Sequence, residues 1–236
     1  MDTVFLSIGA LGMLVGAVSF AYLGTQAPQG TRHFYAITFV IALIAFLSYL
    51  VMATGGGATL VGDRVFYYAR YVDWVFTTPL LLLDLALLAL ARPGRNVGLI
   101  VGIIVLDLFM ILTGLWAGAT EGAGRYFLWF ISTAAMVALL YLVVTRLFAA
   151  ARTQSPGVQQ VFRTLAILTV VLWSLYPIVW LLGTEGFGTV GITTEVALFL
   201  VLDLSAKIGF GFLLLTNRQA LGEISSGGAA RPARVS

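Results

Sequence analysis

The stretch VLDLSAKIGFG, residues 201–211, contains Lys207, the only lysine among the thirteen basic residues of a 236-residue chain. It sits inside an apolar run, and Asp203 precedes it by four residues, one helical turn. A globular domain carries about 25% charged residues. This chain is 60% hydrophobic and 10% charged, with a mean hydropathy of +1.02. No Asp, Glu, Lys or Arg occurs from Thr3 to Thr31, His33 to Gly62, Tyr126 to Thr145 or Thr164 to Thr184. Each run can supply the roughly 20 apolar residues that a membrane-spanning helix needs. Three further apolar segments, near 65–91, 97–118 and 191–217, bring the spans to seven. The expected fold is all-α, a seven-transmembrane-helix bundle over residues 1–222, with a flexible cytoplasmic tail over 223–236.

Charge orients the bundle. Arg32, Arg92, Arg95, Arg146, Arg152, Arg163, Arg218, Arg231 and Arg234 fall on one side of the seven spans. The other side holds only Arg64 and Arg125, with Asp2, Asp63, Glu121, Glu185 and Glu195. The positive-inside rule then predicts an N-terminus outside and a C-terminus in the cytoplasm of a multi-pass cell-membrane protein. No basic residue precedes the first apolar run, so no cleaved signal peptide is expected. Cysteine is absent, which excludes disulfides and thiolate metal sites. No metal is expected. The net charge of +3 follows the membrane sidedness and gives no reason to expect nucleic-acid binding. GGGATLVGDR, residues 55–64, is the longest outer loop and is expected to form a short hairpin; it lacks the lysine and hydroxyl of a phosphate-binding loop.

Six ionisable residues remain within the spans: Arg70, Asp73, Asp84, Asp107, Asp203 and Lys207. A charge at membrane depth costs about 3 kcal/mol or more and marks a functional site by default. Structural ion pairing alone is the competing reading, and six such residues on three helices argue against it. Arg70, Asp73 and Thr77 stand on one face of the third helix. Asp84 follows Asp73 by eleven residues, ~16 Å along nearly the same face. If the third and seventh helices pack together, Lys207 is flanked by Asp73 and Asp203. A desolvated amine between carboxylates suits condensation with an aldehyde to a Schiff base. On the sixth helix, Trp173, Tyr176, Pro177 and Trp180 make one aromatic face, a container for an apolar aldehyde; Trp74 and Trp129 add flat walls. Pro79 and Pro177 predict local bends. His33, the sole histidine, has no partner cluster and is expected at the surface.

These residues carry a resemblance. RYVDWVFTTPLLLLDLALL at 70–88, LWSLYPIVWLLGTEG at 172–186 and LDLSAKIGFG at 202–211 closely resemble the corresponding helices of microbial (type 1) rhodopsins, particularly bacteriorhodopsin-type proton pumps. FYAIT at 34–38 and WFISTAAM at 129–136 match as well, so the similarity covers essentially all seven helices. It implies a light-driven outward proton pump, an ion transporter rather than an enzyme. All-trans-retinal would be bound as a protonated Schiff base to Lys207, with Asp73 and Asp203 as counter-ions. Asp73 would be the proton acceptor, Asp84 the cytoplasmic donor, and Glu185, Glu195 and Arg70 the release group. Trp74, Thr77, Met110, Trp129, Trp173, Tyr176 and Trp180 match pocket residues, and Tyr49 and Tyr176 match tyrosines bonded to Asp203. Asp107 matches an aspartate near the far end of retinal, where a carboxyl bonded between helices is the expected role.

Within the resemblance, Asp73, Thr77 and Asp84 favour proton over chloride or sodium transport. A sensory photoreceptor signalling through a membrane transducer is the alternative, and a seven-helix ligand receptor with a structural Lys–Asp pair is a third reading. Trp129 fills the place where some pumps leave a gap for a carotenoid antenna, so no antenna is expected. Trimers are common among similar pumps, but no feature of the sequence decides the homo-oligomeric state.

Overall fold

The computed structural model describes residues 2–225. Seven helices are long and apolar enough to cross a membrane: α1 (Asp2–Thr25), α2 (Arg32–Ala53), α3 (Tyr68–Ala89), α4 (Val97–Ala119), α5 (Gly124–Ala151), α6 (Pro156–Leu182) and α7 (Ile192–Leu215). In hydrocarbon a backbone must satisfy its own hydrogen bonds, which restricts spanning segments to helices and closed barrels. Large apolar side chains, including Leu11, Val18, Phe109, Trp116 and Phe130, accordingly face outward. The protein is a multi-pass membrane protein of the all-helical class.

α1 packs along α2, α4 along α5, and α7 closes the ring against α1, α2 and α6. α3 and α7 are the most enclosed, with 61% and 56% of their apolar windows buried against 28–39% elsewhere. These two helices carry five of the six intramembrane ionisable residues, so the charges sit inside the bundle rather than against lipid. α8 (Arg218–Ser225) follows α7, and burial of Ala220 and Leu221 seats it against the bundle, where it contacts α6. Of the tail expected over 223–236, residues 223–225 thus belong to a helix, and the rest lies outside the described residues.

The expected hairpin is present. β1 (Thr59–Val61) pairs antiparallel with β2 (Arg64–Phe66), Val61 opposite Arg64. Gly62 takes φ +60° at the first position of the two-residue turn, the conformation such a glycine-led turn requires. The hairpin lies at the α3 N-terminus and marks one end of the bundle; α8 marks the other.

Several of the spans depart from regular helix. Pro79 gives α3 no N–H at that position, and Thr77 and Thr78 donate their hydroxyls to the carbonyls of Asp73 and Trp74 (2.9 and 2.8 Å). Two π-helical turns interrupt the α geometry, at Val143–Leu147 in α5 and at Leu204–Gly209 in α7. The second contains Lys207, and such turns often mark functional sites.

Candidate functional site

Lys207 is 2% exposed, and its Nζ donates to Asp73 Oδ2 and, at 3.3 Å, to Asp203 Oδ1. The packing of α3 against α7 postulated from spacing therefore exists, and the lone amine lies between two carboxylates. Those carboxylates are not equivalent. Asp203 also accepts from Tyr49 Oη (2.8 Å), Tyr176 Oη (2.8 Å) and Trp74 Nε1 (3.3 Å). Asp73 Oδ1 is buried without a partner. Asp203 is thus engaged by three further donors, whereas Asp73 Oδ1 has none.

From Lys207 a cavity runs into the bundle. Trp74, Met110, Trp129, Trp173, Tyr176 and Trp180, all expected in the pocket, line it. Thr77 does not; it is fully buried beside the cavity, bonded to the Asp73 carbonyl. The spacing that put Thr77 on the Asp73 face was correct, but that face at this level is closed by neighbouring helices. Tyr71, Ile111, Gly114, Ser132 and Phe199 also line the cavity, and nothing in their spacing singled them out. Most wall hydroxyls are spent elsewhere: Ser132 on the Met110 carbonyl (2.7 Å), Thr78 on Asp107 (2.8 Å), Tyr176 on Asp203. Trp129 stacks on Trp180 (6.3 Å) and donates Nε1 to the Pro177 carbonyl (3.1 Å), joining α5 to α6. A long, apolar, flat aldehyde tied to Nζ fits this donor set, because polarity is concentrated at the amine end.

The remaining charges lie to either side. Toward the α8 end, Asp84 is fully buried; Oδ2 accepts from Thr38 (3.2 Å) and Oδ1 has no partner. Thr38 was legible only as part of FYAIT and was not singled out. Asp107 accepts from Thr78 across α3 and α4, the interhelical role expected of it. Toward the hairpin end, Arg70 NH1 meets Glu195 Oε1 at 3.3 Å, and its guanidinium lies 4.1 Å from the Phe199 ring centre. Glu195 Oε2 accepts from Thr184 N (2.6 Å) and Oγ1 (2.7 Å). Glu185 Oε2 accepts from Tyr71 Oη (3.1 Å), and Oε1 has no partner. Glu185 lies in the α6–α7 loop, where burial, reinforced by the Glu195 charge, raises its pKa from 4.5 to about 7; Arg70, the Tyr71 bond and Arg64 oppose the rise. The two glutamates are neighbours in one cluster, but their hydrogen bonds go to different partners. His33 is exposed, as expected.

The profile of the bacteriorhodopsin-like proteins matches residues 1–221. The chain belongs to that family. It is 46% identical over 229 residues to archaerhodopsin-3 of Halorubrum sodomense, covering 94% of this chain and 87% of that one. Over 236 residues it is 46% identical to bacteriorhodopsin of Haloterrigena sp. (strain arg-4), covering 97% and 93%. Among solved structures, thermophilic rhodopsin from Rubrobacter xylanophilus superposes with a TM-score of 0.95 at 61% identity, covering 96% of this chain and all of that one. The light-driven proton pump rhodopsin of Coccomyxa subellipsoidea superposes with a TM-score of 0.86 at 34% identity, covering 91% and 96%. The resemblance in the quoted motifs thus extends along nearly the whole of this bacteriorhodopsin-like chain.

Proposed function

We propose that this bacteriorhodopsin-like protein is a light-driven proton pump of the cell membrane, exporting protons from the α8 end, in the cytoplasm, to the hairpin end outside. Kinship with a protein described as a light-driven proton pump supports the activity. The arginine asymmetry supports the direction. Lys207 Nζ would hold all-trans-retinal as a protonated Schiff base, and the bound group would supply light absorption and isomerisation.

The chain's own groups then order the proton path. The Nζ proton would pass to Asp73, to which Nζ already donates, while Asp203 is engaged by Tyr49, Tyr176 and Trp74. Neutralising Asp73 removes a negative charge from the field of Arg70, one turn away on α3, and the Glu185–Glu195 cluster gives up a proton to the outside. Asp84 refills Nζ from the opposite side; its burial against Thr38 keeps the donor away from water until that step.

One observation carries the reading: a buried amine at the end of an aromatic cavity, with a free-ended carboxylate beside it and titratable groups toward both ends. The test is illumination of cells expressing the protein in unbuffered medium, together with the absorption spectrum of purified protein. Acidification abolished by a protonophore is expected, with a visible band that Lys207→Ala removes. A coloured, well-expressed protein that moves no protons would refute pumping and leave the photosensor.

A further inference from the structure

We propose that Gly211, on α7, is a positioning residue for the proton donor: its missing side chain is what lets Thr38 hold the Asp84 carboxyl. The assignment rests on the pump reading above, which makes Asp84 the donor.

Gly211 follows Lys207 by four residues, about one turn nearer the α8 end, the side from which Nζ is refilled. There α7 meets α2 with no side chain of its own between them. A Cβ at Gly211 would stand 2.6 Å from Thr38 Cγ2, 2.4 Å from Phe20 Cζ and 2.7 Å from Phe20 Cε2. Thr38 and Phe20 are 1% and 0% exposed, so neither can swing out into lipid.

Thr38 cannot give way and keep its partner. Its Oγ1 lies 2.8 Å from the Phe34 carbonyl oxygen and 3.2 Å from Asp84 Oδ2. Oγ1 and Cγ2 are substituents of one Cβ, and a step between staggered rotamers moves both. Turning Cγ2 away from residue 211 therefore turns Oγ1 away from Asp84. Nor can the two helices part freely at this level. Tyr35, three residues before Thr38 on α2, is buried and donates its hydroxyl to the carbonyl of Leu215, four residues after Gly211 on α7 (3.1 Å). That bond ties α2 to α7 beside the contact. Phe20 is the softer neighbour, since the atoms overlapped lie at the far end of its ring, which meets Phe212 edge-on at 5.0 Å. Asp84 has no second hold to fall back on, because its Oδ1 is buried without a partner. The bare backbone at 211 thus fixes the Thr38 rotamer, and that rotamer fixes the donor carboxyl.

The experiment is light-induced infrared difference spectroscopy of the full-length, retinal-loaded protein, with the Asp84 carboxyl band identified by its loss in Asp84→Asn. A carboxyl relieved of a hydrogen bond absorbs at higher frequency. Gly211→Ala should move the band upward, as Thr38→Val should, and the two together should move it no further than Thr38→Val alone. Thr38→Ser keeps the hydroxyl and removes Cγ2. Thr38→Ser/Gly211→Ala should therefore return the band to its wild-type position, even though the overlap with Phe20 remains. A glycine needed for packing alone would cost thermal stability in both alanine variants and leave the band in place. Where Gly211→Ala does not assemble, Phe20→Leu/Gly211→Ala replaces it, because leucine lacks the overlapped ring atoms. An unmoved band in the coloured alanine variant, or a displacement that Thr38→Ser does not reverse, overturns the assignment while leaving the pump intact. A wild type in which illumination brings up no Asp84 band removes the donor reading and this assignment with it.

Discussion

Gly9 lines no part of the cavity, yet it bounds the tyrosine that donates to Asp203. A Cβ placed there would overlap Cδ1 and Cε1 of the Tyr49 ring and stand 3.0 Å from Leu200 Cδ1. Tyr49 cannot retreat freely, since it is buried in a cluster with Leu6, Met13, Ala45, Met52, Val196 and Leu200, and its hydroxyl donates to Asp203. Gly9→Ala therefore either strains this cluster, at about 1–3 kcal/mol for overpacking, or swings the ring off Asp203. The second route loses a hydrogen bond to a charged group, worth about 1.5–3 kcal/mol. Both routes converge on a loss of about 2 kcal/mol. For a chain of this length that lowers a thermal midpoint by roughly 4–8 °C. The assay is thermal bleaching of the retinal-loaded protein, read with its absorption spectrum. Gly9→Ala should shift the band in the same direction as Tyr49→Phe. Gly12→Ala is the comparison, because its Cβ meets only the tip of Leu204 (2.8 Å), which can rotate away. A Gly9→Ala protein with wild-type colour and midpoint would show that Tyr49 does not depend on this contact.

Asp73→Asn should abolish light-driven acidification while leaving a coloured protein, because an amide beside Nζ cannot take up its proton; normal pumping would overturn its role. Asp84→Asn should leave the band nearly unchanged and slow the return to the resting spectrum at least tenfold, with a small permeant acid such as azide restoring the rate. Glu185 predicts a pH dependence of stability. Its folded pKa of about 7 lies above the ordinary 4.5, so the folded state binds this proton more tightly. The contribution is full below about pH 4.5 and disappears as pH rises through 7, at most about 3 kcal/mol. The bleaching midpoint should fall across that window in wild type, and Glu185→Gln should flatten the slope.

Much of this protein is written in one dimension. Seven apolar runs set the spanning helices because lipid leaves a backbone no partner but itself. Charges too costly to face lipid had to turn inward, so Arg70, Asp73, Asp84, Asp203 and Lys207 could be placed inside the bundle from their positions alone. Helical spacing gave the aromatic face of Trp173, Tyr176 and Trp180, and GGGATLVGDR gave the hairpin. What residue spacing could not display is which group answers which across helices. Thr38 lies 46 residues from Asp84 and Tyr71 lies 114 from Glu185; the pairing of Tyr49 with Asp203, 154 residues away, was expected from the family resemblance alone. Those pairings depend on helix rotation and close approach, as at Gly9 and Gly211, which no periodicity encodes. The difference between Asp73 and Asp203 has the same origin. Both are aspartates in apolar surroundings, and only the packed bundle gives one of them two tyrosines and a tryptophan and leaves the other an open oxygen.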